Sequence, residues 1–225
     1  MRYTKIILEK EKKCFWKMKR EKVSTAVIRR LPRYYRNLED LSLAGTVRIS
    51  SKALSAAMGI TASQIRQDLS CFGEFGLQGY GYNVENLRQE IGEILGVNQG
   101  HRAVLLGAGN LGRALMENFR FERCGFTLEV AFDADPDLIG TDLAGIPVLD
   151  VAELETYLKT HRTDVAVLTV PGPAAQGLAD RLAQAGVGGI WNFTNMELAV
   201  PETTVVENVH FADSLLTLSY MIAKG

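Results

Sequence analysis

Residues 101–112, HRAVLLGAGNLG, carry a short apolar run straight into a G-x-G-x-x-G sequence. The glycine pattern alone recurs by accident; a strand entering it and a helix leaving it make it specific. His101 to Leu106 has the length of a buried strand, and Ala114, Leu115 and Phe119 continue a helical period beyond Gly112. In that setting Gly107 makes the tight turn, Gly109 lets backbone amides reach a pyrophosphate, and Gly112 lets helix and strand pack closely. Ala108, Asn110 and Leu111 complete the turn, and the helix start supplies unpaired N–H groups and a favourable dipole. A second strand, Leu128 to Phe132, ends at Asp133, 21 residues beyond Gly112. There a carboxylate can accept hydrogen bonds from the adenosine ribose hydroxyls. Asp135 and Asp137 follow it, and no arginine does, so a 2′-phosphate is repelled and NAD(H) is favoured over NADP(H).

The pattern continues as alternating elements. Val151 to His161 is predicted helical, Val165 to Val170 a strand, Pro171 the start of a helix, and Gly189 to Phe193 another strand. Such alternation predicts a doubly wound parallel sheet, a Rossmann domain spanning residues 101–208. Ligands bind beyond the carboxyl ends of such strands, which places Thr169, Val170, Pro171 and Asn192 near the nicotinamide half. A terminal helix, Phe211 to Ile222, carries Phe211, Leu215, Leu218 and Ile222 on one stripe. Only about thirty residues follow the last predicted core strand, so no separate substrate domain is expected. The stripe, within a C-terminal helix at 209–225, is expected to pack on a partner subunit of a homodimer.

The first half has another character. Residues 1–98 hold 17 Lys+Arg against 10 Asp+Glu, whereas residues 99–225 hold 8 against 16. Only the first half is therefore suited to a polyanion. Residues 1–21 form an N-terminal arm without clear period. From Ser24, a plausible cap, Val27, Leu31, Tyr34, Tyr35 and Leu38 recur at helical steps, with Pro32 expected to bend or restart the helix. A short extended segment, Val47 to Ile49, precedes a helix from Ser51 to Met58 that Gly59 ends; Thr61 to Gln64 then has capping-box spacing for another. Two helices joined by a tight turn make a helix-turn-helix.

On the second of these helices Ile65, Leu69 and Phe72 face inward, while Ser63, Arg66, Gln67 and Ser70 share another face, with Gln64 alongside. That outer face holds hydroxyls, an amide and a guanidinium but no carboxylate, which suits base edges and phosphates in a major groove. Arg48 and Ser51 lie close by in sequence. Glycines 73, 76, 79 and 81, interleaved with Phe75, Tyr80 and Tyr82, then predict a hairpin wing, with Gly79 and Tyr80 approaching the sugar–phosphate backbone. A helix from Val84 to Leu95 closes a winged-helix DNA-binding domain over residues 22–98. The three cysteines are widely spaced and fall in no C-x-x-C pattern, which argues for reduced thiols in the cytoplasm and no metal site. No apolar run approaches the roughly 18 residues that span a bilayer.

Taken together, LPRYYRNLEDL (31–41), TASQIRQDLSCFGEFG (61–76), GYGY (79–82), GAGNLGRAL (107–115), TVPGPAAQ (169–176), GIWNF (189–193) and LSY (218–220) resemble the bacterial redox-sensing repressor family called Rex. The resemblance implies a homodimer with an N-terminal winged helix, a Rossmann domain and a C-terminal helix exchanged between subunits. It also implies that the dimer holds inverted-repeat, double-stranded operator DNA when NADH/NAD+ is low and releases it on binding NADH, with NAD+ competing. Three positions depart from the family pattern: Gln67 stands where many members have Lys, Asn118 and Phe119 where many have Tyr, and His210 where many have Asp. Asp213 lies one turn later. The missing Tyr and Asp are implied to couple the nicotinamide pocket to the partner, so Asn118, Phe119, His210 and Asp213 become candidates for the redox switch. Gln67 exchanges a charged contact for an amide able to pair with adenine.

Two other readings compete. An NAD-dependent oxidoreductase with an appended DNA-binding domain needs a general acid/base beside the nicotinamide. Of His101, His161 and His210, only His210 is placed to serve, and a lone histidine is more often structural. A nucleotide-binding scaffold whose winged helix meets proteins predicts no salt-sensitive DNA binding.

Overall fold

The computed structural model describes residues 23–73, 76–77 and 80–224. The proposed arm, residues 1–21, and Gly79 lie outside the described residues. Two compact units divide after Asn98.

The first unit opens with α1 (Thr25–Leu43), which buries Val27, Leu31, Tyr34 and Leu38 along one stripe. Pro32 sits inside this helix without restarting it; packing of the buried stripe on both sides of Pro32 outweighs the one N–H that proline removes. Ser24 precedes α1 but makes no side-chain capping bond. After β1 (Arg48–Ile49), α2 (Ser51–Met58) is capped by Ser50, whose hydroxyl accepts from the N–H of Ala53 at 3.1 Å. Next, α3 (Ala62–Ser70) is capped by Thr61, which accepts from the N–H of Gln64 at 3.1 Å. Ile65, Leu69 and Phe72 are buried as their spacing requires. The wing pairs β2 (Gly76–Leu77) and β1 with the central β3 (Gly81–Asn83), all antiparallel. Gly81 has φ +68°, and a Cβ there would stand 2.6 Å from the carbonyl oxygen of Ile49, so no other residue fits this crossing. Finally α4 (Val84–Leu95) packs on α1 and completes a single apolar core.

The second unit is built on seven strands. They are β4 (His101–Leu106), β5 (Phe126–Asp133), β6 (Asp142–Leu143), β7 (Ile146–Asp150), β8 (Val165–Leu168), β9 (Gly189–Asn192) and β10 (Val205–Asn208). Their order across the sheet is β10-β9-β8-β4-β5-β7-β6, parallel throughout except for the β6–β7 edge. The six parallel strands thus run 3-2-1-4-5-6, and the winding direction reverses between β4 and β8. Helices α5 (Asn110–Asn118), α6 (Leu154–Thr160) and α7 (Gly172–Gln184) connect them. Alternate residues of β4 enter two separate cores: Ala103 and Leu105 face one, Val104 and Leu106 the other. The predicted strands 128–132, 165–170 and 189–193 shift at their ends by one to two residues, and β6, β7 and β10 are additional. The last strand is therefore β10, not β9, and α8 (Phe211–Ala223) follows closely. Within the single chain, no residue of α8 is buried.

Candidate functional site

The reversal between β4 and β8 opens a cleft of about 860 Å³ at the carboxyl ends of the strands. Its floor is the glycine-rich turn. The N–H of Gly107 donates to the Phe132 carbonyl at 2.8 Å, and φ at Gly107 is +98°. A Cβ there would lie 2.9 Å from the backbone of Thr169, so only glycine lets the two crossover loops touch. Thr169 closes that contact by donating its hydroxyl to the carbonyls of Leu106 (3.0 Å) and Gly107 (2.7 Å). At Gly112 a Cβ would stand 2.0 Å from the Gly107 carbonyl oxygen, whereas a Cβ on Gly109 would meet no atom within 4 Å. Gly112 is thus bare for the sake of packing, and Gly109 faces open space at the N-terminus of α5, where the helix's first N–H groups lack intrahelical partners.

Asp133 stands at the tip of β5. Its carboxylate accepts three backbone N–H groups, from Ala108 (2.6 Å), Ala134 (2.7 Å) and Asp135 (2.9 Å). A carboxylate has about four acceptor positions, so one remains open. Gly107, Gly109, Asn110, Asp133, Thr169, Val170 and Pro171 line the cleft. Ala108 and Gly112 are buried beneath it and Leu111 is half-buried. Asn192 does not line it: fully buried, it donates to the Met196 carbonyl and to Asn208 Oδ1 (both 2.8 Å) and accepts from the N–H (3.0 Å) and hydroxyl (2.8 Å) of Thr194. The parallel register sets Asn208 directly opposite it, so the side chain is consumed within the sheet edge. Sequence reasoning missed the far wall: Leu138, Val151, Leu178 and Arg181, which belong to no motif, and Ala174, which lies within TVPGPAAQ but was not singled out. Among the described residues, Arg181 is the one cation lining the cleft. Glu155 accepts from it at 2.8 Å through Nη2, and that hydrogen bond pulls the Glu155 carboxyl down to about 2.

Of the switch candidates, Phe119 and His210 lie on two contact chains that meet α8 or its start. Phe119 caps α5 and packs on Trp191 (ring centroids 5.2 Å), which meets Phe193 (4.5 Å), which meets Phe211 (6.1 Å). Asn118 is exposed and bonds only its own helix, through the Ala114 carbonyl. His210 Nε2 lies 3.3 Å from Glu197 Oε1, while Glu197 Oε2 accepts from Asn208 at 3.0 Å; a polar chain thereby joins His210 to Asn192. Asp213 is exposed in the first turn of α8.

In the first unit Ser63, Arg66, Gln67 and Ser70 all lie on the exposed side of α3. Ser70 donates its hydroxyl to the Gln67 carbonyl within the helix. Arg66 Nη1 donates to Ser51 Oγ at 3.0 Å, which brings two predicted residues together across the helix-turn-helix. Arg48 donates to the Tyr80 carbonyl at 3.2 Å and sits 5.8 Å over its ring, so the strand and the exposed wing tip act as one basic-aromatic unit. Gln64 is turned inward instead: it donates to Asp68 Oδ1 at 2.7 Å rather than reaching back to Thr61. Asp68, with Arg30 and Tyr34, was not anticipated, because nothing local marks a buried carboxylate in an otherwise solvated-looking helix. Among the described residues no cluster of metal-ligating side chains occurs, and no helix is long and apolar enough to cross a membrane.

Comparison with known proteins agrees with this layout. A family model described as a DNA-binding protein N-terminus matches residues 22–70, and a CoA binding domain model matches residues 98–196. The redox-sensing transcriptional repressor Rex of Clostridium beijerinckii is 49% identical over 92% of this chain and 98% of its own length. Its counterpart in Clostridium botulinum is also 49% identical, with the same coverage. Among solved structures, RSP in complex with β-NAD+ and operator DNA superposes with a TM-score of 0.85 at 48% identity, covering 90% of this chain and 93% of that one. RSP in complex with β-NADH gives 0.83 at 46% identity, covering 90% and 95%. With near-half identity sustained through both units, the chain belongs to the Rex family of redox-sensing transcriptional repressors.

Proposed function

We propose that this chain is a repressor that binds two-fold operator DNA when NADH is scarce and lets go when NADH fills the cleft at the β4–β8 crossover. The observation that carries the reading is the pairing, in one chain, of a carboxylate-free exposed face on α3 with a glycine-floored cleft bounded by Asp133. The similar structures support it: RSP has been crystallised with operator DNA and NAD+, and with NADH. Gly107 to Gly112 would cradle the pyrophosphate, the open acceptor position of Asp133 would take a ribose hydroxyl, and Thr169 to Pro171 would face the nicotinamide. Asp133, Asp135 and Asp137 crowd the ribose end with negative charge. That disfavours any ribose carrying an extra phosphate, so NAD(H) is preferred to NADP(H) and to coenzyme A.

On the DNA side Arg48, Ser51, Ser63, Arg66, Gln67, Ser70, Gly79 and Tyr80 would make the contacts, with Gln64 acting from behind the face. The domains are residues 22–98 for DNA, 101–208 for nucleotide and 209–225 for dimerisation. Phe211, Leu215, Leu218 and Ile222 are each more than half exposed in the single chain, which supports exchange of α8 between two copies. A protein reading operators in this way works in the bacterial cytoplasm. NADH can loosen DNA only as far as it prefers the DNA-incompetent dimer; a tenfold preference is worth about 1.4 kcal/mol per nucleotide.

The test is a titration of labelled inverted-repeat DNA at several salt concentrations, with NADH and NAD+ varied. Affinity should fall steeply with salt and with NADH. Equal affinity with either nucleotide form would overturn the reading, and consumption of NADH in the presence of carbonyl compounds would favour an oxidoreductase.

A further inference from the structure

The inward face of α3 should hold apolar residues only, as Ile65 and Leu69 do, yet it also holds Asp68, which is fully buried. Every acceptor position of that carboxylate is occupied. Arg30 donates twice, from Nε to Oδ2 and from Nη2 to Oδ1, both at 2.7 Å. Tyr34 donates its hydroxyl to Oδ2 at 2.9 Å, and Gln64 its amide to Oδ1 at 2.7 Å. Arg30 and Tyr34 lie on α1 and Gln64 on α3 itself, so three side chains from two helices converge on one carboxylate of α3.

Stability does not account for this arrangement. Pairing a buried carboxylate with a cation is generally no more stabilising than apolar residues of the same volume, because the carboxylate must leave water, while Arg30 stays partly exposed. What the pair supplies is geometry. A two-pronged guanidinium–carboxylate contact is planar and directional, unlike the contacts of Ile65 and Leu69, which tolerate sliding. Moving α3 by one residue, about 1.5 Å along and 100° around its axis, would break both prongs and leave the carboxylate unpaired. Arg66 and Ser70 lie two residues either side of Asp68, hence roughly opposite it around the helix. Their aim toward a DNA groove is therefore set by where Asp68 is held.

We infer that Asp68, gripped by Arg30 and Tyr34, is the positioning residue that sets operator discrimination: it touches no base, yet it fixes the rotation and height at which α3 presents Ser63, Arg66, Gln67 and Ser70. The inference rests on the repressor reading above. It also explains why Gln64, adjacent to the reading face in sequence, is spent inward.

The experiment uses the full chain and a duplex selected by that chain from a randomised pool, against a scrambled duplex of equal length. Affinity for both is measured at several salt concentrations without NADH, at a temperature where circular dichroism shows the protein folded. Asp68→Asn, and separately the apolar pair Arg30→Met with Asp68→Leu, should lower the selected-to-scrambled affinity ratio at least tenfold. Affinity for the scrambled duplex and the salt slope should stay as in the parent chain, because the phosphate contacts survive. The apolar pair guards against misfolding, since it leaves no buried charge unpaired; Tyr34→Phe, which keeps the ion pair, should give a smaller loss of ratio. Folded variants that retain the parent ratio would overturn the inference, as would affinities for both duplexes falling in parallel. If the parent chain selects no sequence from the pool, the repressor reading itself fails, a result distinct from either of these.

Discussion

The backbone N–H of Ala108 donates to Asp133 Oδ2 at 2.6 Å, so the glycine-rich turn and the tip of β5 share one carboxylate. The group proposed to hold the ribose thereby also shapes the turn proposed to hold the pyrophosphate. Replacing Asp133 should injure both at once. Asp133→Ala is expected to weaken NADH and NAD+ by roughly 10- to 100-fold each, the range for lost hydrogen bonds to a charged group. Their affinity ratio should stay within about twofold, because the adenosine end is the same in both redox forms. Calorimetric titration with each nucleotide checks this, and a large change in ratio would refute the division of labour.

Gly109 and Gly112 separate ligand binding from folding. The Cβ of Gly112→Ala would collide with the Gly107 carbonyl, and overpacking of this kind costs about 1–3 kcal/mol, a melting-point loss of several degrees. Gly109→Ala has open space and ordinary extended backbone geometry, so its melting point should match the parent within about 1 °C. Its nucleotide binding should nonetheless collapse, because the new methyl stands where the pyrophosphate approaches. Thermal unfolding with and without NADH distinguishes the two; a Gly109→Ala chain that NADH stabilises normally would mean the phosphates lie elsewhere.

Acid should unfold the first unit through Asp68. Burial pushes its carboxyl up, but the hydrogen bonds from Arg30, Gln64 and Tyr34 outweigh burial and hold it below its ordinary value of 3.8. A carboxyl depressed in the folded state stabilises fully above 3.8, and that contribution drains away as pH falls through the lower folded value. Calorimetric melting below pH 4 should show the decline, and Asp68→Asn should flatten it. In the second unit Glu155, lowered to about 2 by its hydrogen bond from Arg181, loses its contribution as pH falls from 4.5 toward that value. An unchanged acid limb in Asp68→Asn would contradict the assignment.

His210 and Glu197 face each other at 3.3 Å at the start of α8, on the polar chain that reaches Asn192. If this contact carries the switch in place of the family's Asp, His210→Ala and Glu197→Gln should each raise the NADH concentration that releases half the operator, by about threefold or more. Release curves identical to the parent in both variants would remove His210 from the switch.

What could be read from the chain alone was local. The strand–glycine turn–helix, Asp133 at the next strand's end, and the Ile65/Leu69/Phe72 spacing are all set by neighbours a few residues apart, and each stands where the periodicity put it. The short strands 142–143, 146–150 and 205–208 escaped notice because two to five residues offer too little alternation, and pairing with neighbours holds them extended. Asn192 looked like a ligand contact by its strand-end position; a register with Asn208, sixteen residues on, turned it into a link of the sheet edge. Asp68 and Arg30 are 38 residues apart, and no spacing rule connects them. Local preferences named the elements, but which polar groups would lose water together, and so be forced to pair, depended on contacts made after the chain had closed on itself.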